Sequence, residues 1–118
     1  MESREAYDVY LRAWNVQDRG ELRELLERAW SDDGVYVDDE VPEGLVGREA
    51  LVGYIADSHA ETPGLVVADA APPKMLDGRL LVRWVAGPTG NEQMYSGTDV
   101  VEFAPDGSIL RVTNFFDD

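Results

Sequence analysis

Three side chains stand out for the chemistry they could perform. Asp99 breaks an otherwise apolar strand beside Val100, Val101 and Phe103. A carboxylate facing inward there needs a partner or must stay neutral, because burial penalises its charged form. A neutral buried carboxyl keeps its proton available, so Asp99 is a candidate acid, with a structural aspartate as the alternative. Asp38 ends a short strand and is followed by Asp39 and Glu40; a pocket base and a solvated acidic turn fit this pattern equally. Tyr10 shares the buried stripe of a helix with Trp14, where core packing is the ordinary role and donation by its hydroxyl the chemical one.

Further residues could line a cavity beside these three. Trp84 alternates with Val82 and Ala86, Met94 and Asn114 lie on neighbouring strands, and Trp14 follows Tyr10 by one helical turn. They suit an apolar ligand, although core packing is the commoner use of each type. His59, the lone histidine, falls late in a helix and reads as a surface or helix-end residue. The Asp32-Asp33 and Asp38-Asp39-Glu40 clusters lack the glycine and ligand spacing of a calcium loop. Cysteine is absent, which removes disulfides, thiolate metal sites and a thiol nucleophile. No metal and no cofactor is expected.

The elements that must position these groups follow from periodicity. Ala6, Val9, Tyr10, Ala13 and Trp14 recur at helical spacing over about Ser3 to Gln17, and Leu22, Leu25, Leu26, Ala29 and Trp30 repeat it after an Asp18 cap. Val35 and Val37 then alternate with Tyr36 and Asp38, predicting a half-buried strand. A loop with Pro42, Gly44 and Gly47 leads to a third helix from about Arg48, stopped by Pro63-Gly64. Leu65 to Ala70, Arg79 to Ala86, Glu92 to Phe103 and Ser108 to Phe116 read as strands joined by short turns. The predicted order is ααβαββββ in one domain, with an antiparallel meander covered on one face by the helices. Leu81, Val85, Val100 and Phe115 would line the other face if Trp84 and Asp99 point inward, and a homodimer is the expected cover.

The helix Tyr10 to Asn15, the run Ser31-Asp32-Asp33 into Tyr36-Val37-Asp38, the start Gly47-Arg48-Glu49-Ala50-Leu51 and the strand Gly97 to Phe103 before Asp106-Gly107 together resemble the nuclear transport factor 2-like superfamily, in its SnoaL-like and ketosteroid isomerase-like branch. The resemblance spans nearly the whole chain. It implies an α+β fold: a cone-shaped, curved and mostly antiparallel sheet with three N-terminal helices enclosing a pocket, a cystatin-like α+β roll. It also implies a small-molecule pocket, an isomerase or polyketide-cyclase activity on a hydrophobic carbonyl compound, or a non-catalytic binding or dimerisation domain of the same fold. By this resemblance Asp38 takes the place of the proton-shuttling base, Asp99 that of the protonated acid, and Tyr10 that of a second donor to an oxyanion. Removing a proton next to a carbonyl needs such a base on one side and donors to the enolate oxygen on the other. Gly97 replaces the arginine of the epoxide hydrolase Arg-x-Asp pattern, and one histidine cannot supply the two of the scytalone dehydratase type.

Composition narrows the partners. The 118 residues carry 10 Lys and Arg against 24 Asp and Glu, a formal net charge of −14 that repels phosphate backbones and anionic membranes. Neither nucleic acid nor membrane is an expected partner. The polar N-terminus and the lack of cysteine suit a cytoplasmic protein without a signal peptide.

Overall fold

In a computed structural model, which describes residues 1–117, helices form where the three-and-four spacing runs unbroken. Ala6, Val9, Tyr10 and Ala13 are buried along α1 (Ser3–Ala13), and Leu22, Leu25, Leu26 and Ala29 along α2 (Arg19–Ala29). The Asp18 side chain accepts from the Glu21 backbone N–H at 2.9 Å, satisfying one of the amides that a helix start leaves unpaired. α1 ends before the expected Gln17 because Asn15 is used elsewhere. Its side-chain amide donates to the Val67 carbonyl and accepts from the Val67 N–H, each at 2.8 Å, joining the helix end to a sheet edge.

Trp30, expected on the stripe of α2, instead opens β1 (Trp30–Asp38) in an extended conformation. It stays buried and stacks on Tyr10 with ring centroids 5.5 Å apart, so the apolar period counted its burial correctly and its backbone wrongly. Arg48 donates to the Trp30 carbonyl at 2.9 and 3.1 Å, satisfying the acceptor at this helix-to-strand junction. The stretch expected as a loop forms β2 (Val41–Val46), paired antiparallel with β1. Pro42 and Gly44 are tolerated because β2 is the outer strand of the sheet, where a missing amide breaks no inner ladder.

α3 (Arg48–Glu61) is followed by β3 (Leu65–Asp69), the short β4 (Lys74–Leu76), β5 (Arg79–Pro88), β6 (Tyr95–Phe103) and β7 (Ile109–Phe116). β4 folds back on β5 across the Asp77-Gly78 turn; its three residues are all exposed and so leave no burial pattern to read. The sheet order is β2-β1-β7-β6-β5-β3. All neighbours are antiparallel except β1 and β7, which run parallel and join the N-terminal strand to the meander. Register irregularities between Trp30 and Val35 and between Glu102 and Phe103 add local twist and help curl the sheet around the helices. The sheet remains unclosed.

Curvature gives the sheet two unlike faces. Val82, Asp99 and Asn114 lie directly opposite one another on β5, β6 and β7, and Trp84, Gly97 and Phe116 form the next row on the same inner face. Gly97 is required there, because a Cβ at that position would fall inside the Trp84 indole. The outer face carries Leu81 and Phe115, 45% and 55% exposed, with Val85 and Val100 half-buried. Among the described residues no helix is long and apolar enough to cross a membrane.

Trp14 and Trp84, as candidate cavity residues, are half-buried, whereas Trp30 is fully enclosed. Trp30→Ala is therefore expected to cost about 3–5 kcal/mol in urea unfolding, and Trp14→Ala clearly less, since less buried surface is lost. The reverse order would contradict this assignment of burial.

Candidate functional site

The inner face of the sheet and the facing sides of α1 and α3 leave a cavity of about 500 Å³. Aromatic side chains dominate its walls: Tyr7, Tyr10 and Trp14 from α1, Tyr36 from β1, Tyr54 from α3, and Trp84 and Phe116 from the sheet. Asp38, Asp99 and Asn114 supply its buried polar groups. The three candidate catalytic residues and the four candidate ligand-binding residues thus all border one space. Met94 differs from the rest; it is 52% exposed and edges the mouth rather than the interior.

Asp38 is the most heavily bonded of these groups. Its Oδ2 accepts from the Tyr36 hydroxyl at 2.7 Å and the Tyr54 hydroxyl at 2.5 Å. Its Oδ1 accepts from the backbone N–H groups of Glu40 and Val41 at 2.8 and 3.1 Å. Two carboxylate oxygens offer about four acceptor sites, so all are occupied. The turn at Asp39-Glu40 that sequence reading weighed as solvated is the source of two of these donors. Tyr54 also lies 3.3 Å from Glu40 Oε2, a second acceptor for the same hydroxyl. The network continues into the sheet: the Trp84 indole N–H donates to Asn114 Oδ1 at 2.8 Å, and Asn114 Nδ2 donates to the Tyr36 hydroxyl at 3.2 Å.

Asp99 is the opposite case. Only 8% of it is exposed, and its Oδ1 has no hydrogen-bond partner. Burial foremost, then the charges of Asp38 and Asp69, push its carboxyl up to about 8. Near neutral pH it is chiefly a protonated acid. The Tyr10 hydroxyl is raised well above the ordinary phenol value by burial and next by the Asp99 charge, so it too holds its proton. Two neutral O–H groups therefore belong to the same cavity. What the arrangement can do is donate hydrogen bonds to an oxygen that gains negative charge, in a setting with little water to compete.

Three aromatic residues of the cavity lining escaped sequence reading. Tyr36 and Tyr54 look like packing residues until the fold brings their hydroxyls to Asp38. Tyr7 donates to Asp69 Oδ1 at 2.5 Å, linking α1 to β3, and burial together with this bond raises its phenol. The spacing of Tyr7, Tyr10 and Trp14 at three and four residues is a signal that could have found it. His59, expected at a surface or helix end, is half-buried and hydrogen-bonds the Trp14 carbonyl through Nε2 at 2.8 Å, which holds α1 against α3 outside the cavity lining. Among the described residues no group of three or more His, Asp or Glu side chains converges in a way that could hold a metal ion.

A curved, mostly antiparallel sheet folded around helices and an interior cavity defines the class of cystatin-like α+β rolls. Within it, the chain belongs to the SnoaL-like family, whose domain profile matches residues 8–112. The structure superimposes on a protein of that family from Agrobacterium tumefaciens, provisionally designated an isomerase, with a TM-score of 0.88 at 26% identity over 98% of this chain and 97% of that one. A provisionally designated polyketide cyclase from Sinorhizobium meliloti gives a TM-score of 0.72 at 18% identity, covering 93% of each chain. A ketosteroid isomerase-like fold from Catenulispora acidiphila, solved with trimethylamine, gives 0.75 at 16% identity over 96% of this chain and 85% of that one. The last two share the fold. No curated protein matches the chain.

The raised Asp99 value carries a stability signature. Between the unfolded carboxylate value of about 3.9 and the folded value of about 8, the native state binds a proton that the unfolded chain has released. The contribution of Asp99 to stability is therefore full below about 4, falls as pH rises through this window, and levels off above about 8. In urea unfolding across that range, wild type is expected to lose stability relative to Asp99→Asn as pH increases. A pH-independent difference would mean that Asp99 is not protonated in the fold.

Proposed function

We propose that the protein is an acid/base enzyme acting on a small hydrophobic carbonyl compound held in this cavity, in the manner of an isomerase or polyketide cyclase. The observation that carries this reading is Asp99, a buried protonated acid with an unpartnered Oδ1 beside a space large enough for a small organic molecule. The Asp99 and Tyr10 O–H groups donate to the substrate carbonyl oxygen. Asp38 takes a proton from the adjacent carbon, the C–H electron pair becomes the C=C bond of the enolate, and the carbonyl π electrons move to the oxygen that both donors hold. Return of the proton to another carbon completes an isomerisation; attack of the enolate carbon on a second carbonyl closes a ring.

The full occupancy of Asp38 sets a condition on this chemistry. One donor must withdraw before Asp38 can accept a proton, and Tyr54 has Glu40 Oε2 as an alternative acceptor. Rotation of that hydroxyl from Asp38 to Glu40 would free the basic lone pair. The same occupancy favours a second reading, in which the cavity binds a hydrophobic ligand without turnover and Asp38 is a structural hub.

Two measurements separate these readings. A phenol, as a neutral or anionic mimic of the enolate, is expected to bind at least about tenfold more weakly to Asp99→Ala than to wild type, from loss of a hydrogen bond in a dry site. A cyclic ketone incubated with enzyme in deuterated water is expected to gain deuterium at its α-carbon, and Asp38→Asn should abolish the gain. Phenol binding without exchange would leave the non-catalytic pocket; neither result would remove both.

We also propose that a second copy of the chain covers the outer sheet face, a reading supported by the exposed Leu81 and Phe115. Analytical ultracentrifugation at micromolar concentration is expected to give a dimer, and Phe115→Glu a monomer. A wild-type monomer would end this proposal.

A further inference from the structure

We infer that Asp77 is a site of covalent modification: it isomerises to isoaspartate in the folded protein, while the other two Asp-Gly pairs of the chain are protected. The inference is independent of the cavity and of any chemistry there.

The chain holds three such pairs, Asp33-Gly34, Asp77-Gly78 and Asp106-Gly107. Glycine in the second position leaves its amide unshielded, because it has no Cβ. At Asp77 the Gly78 nitrogen attacks the side-chain carboxyl carbon, the carboxyl hydroxyl leaves as water with the amide proton, and a succinimide ring forms. Water then adds to the main-chain carbonyl carbon of Asp77, and the bond from that carbon to the Gly78 nitrogen breaks. The chain now runs through Cβ and Cγ, and the former main-chain carbonyl becomes a free carboxyl. The water lost in the first step is regained in the second, so no oxidant or other co-reactant is needed.

The fold decides which pair can follow this course, since the reaction needs a free carboxyl, a free amide and room to rearrange. Asp77-Gly78 is the two-residue turn between β4 and β5, closed by the Leu76 and Arg79 pair. The Asp77 side chain is 88% exposed, and its ion pair with Arg79, at 3.4 Å, is long and solvated. The Gly78 N–H has no acceptor among the described residues, and the space beside Gly78 is open. Among those residues Asp77 is also the one non-glycine with a positive φ, +52°, a conformation that a Cβ disfavours. Rerouting the chain through Cγ relieves it.

The other pairs lack these freedoms. Asp106 Oδ1 accepts from the Ser108 hydroxyl at 2.6 Å and the Ser108 N–H at 2.9 Å, bonds that hold its carboxyl below the usual carboxylate value and so keep it ionised. An ionised carboxylate cannot release its oxygen as water. The Gly107 N–H is itself engaged, donating to the Ala104 carbonyl at 2.9 Å. Gly34 is buried within β1, where even a Cβ would fall inside the Trp30 indole, and its carbonyl accepts from the Gly47 N–H at 3.1 Å. Ring closure at either place requires local unfolding first.

Incubation of the intact protein for weeks at neutral pH and body temperature tests the inference. Arg48, Lys74 and Arg79 fall between the pairs, so trypsin places each on its own peptide, and an isoaspartyl methyltransferase reports isoaspartate on each. In the folded protein isoaspartate is expected to accumulate on the Asp77 peptide and to stay at its starting level on the other two. In concentrated urea all three peptides should gain it, which assigns the restriction to the fold. Amide hydrogen exchange of β4 should then quicken in the isomerised fraction, with β6 and β7 unchanged, because so tight a turn cannot take an extra backbone atom and keep the Leu76 and Arg79 register. Absence of isoaspartate from the Asp77 peptide of the folded protein, or equal gain at Asp33 or Asp106, overturns the inference.

Discussion

Burying the Asp38 carboxylate imposes a demand that several elements meet together. A charge withdrawn from water must be compensated by close donors, and removal of one member of such a set leaves an expensive unpaired group. β1 supplies Tyr36, the turn after it supplies two backbone amides, and α3 reaches across with Tyr54. Each donor fixes the element that carries it. Tyr36 passes the constraint through Asn114 to Trp84, so that one carboxylate orders side chains on β1, α3, β7 and β5. The cavity walls depend on this chain of bonds for their orientation. Apolar packing alone would leave the hydroxyls free to turn.

A second carboxylate in the same cavity is affected by the first. Asp38 is satisfied by four donors, and its charge adds to burial in raising Asp99. Two acids of one type thereby acquire unlike roles from unlike surroundings, one bonded at every lone pair and one keeping its proton. Gly97 contributes through the absence of a side chain. The Trp84 indole crosses the space above it, so the indole N–H can reach Asn114.

Much of the fold was legible in the sequence because burial in helices and in the meander is periodic and local turns join successive strands. The stripe of Leu22, Leu25, Leu26 and Ala29, and the alternation around Trp84, are such local signals. β2 was hidden by Pro42 and Gly44, whose strand-breaking tendency yields at an edge; β4 was hidden by full exposure. The parallel pairing of β1 with β7 joins segments separated by most of the chain, and no local pattern encodes it. At the site, Asp99 was conspicuous as a polar residue in an apolar run. Tyr7, Tyr36 and Tyr54 were not, because a tyrosine that packs and a tyrosine that donates have the same periodicity. Their difference lies in where the hydroxyl ends, a property of tertiary structure alone.

Asn15 bears on how copies of this chain can come together. β3 is an outer strand, and an outer strand offers free amides and carbonyls on which a foreign strand could grow. The Asn15 side chain occupies both groups of Val67, imitating the peptide unit of a neighbouring strand, while the Leu65 N–H is taken by the Thr62 carbonyl. Three of the backbone groups at this margin, both of Val67 and the amide of Leu65, are thus occupied from within the chain. A foreign strand pairing along the first half of β3 would have to displace these bonds, which disfavours sheet extension between molecules there and with it one route to fibrous assembly.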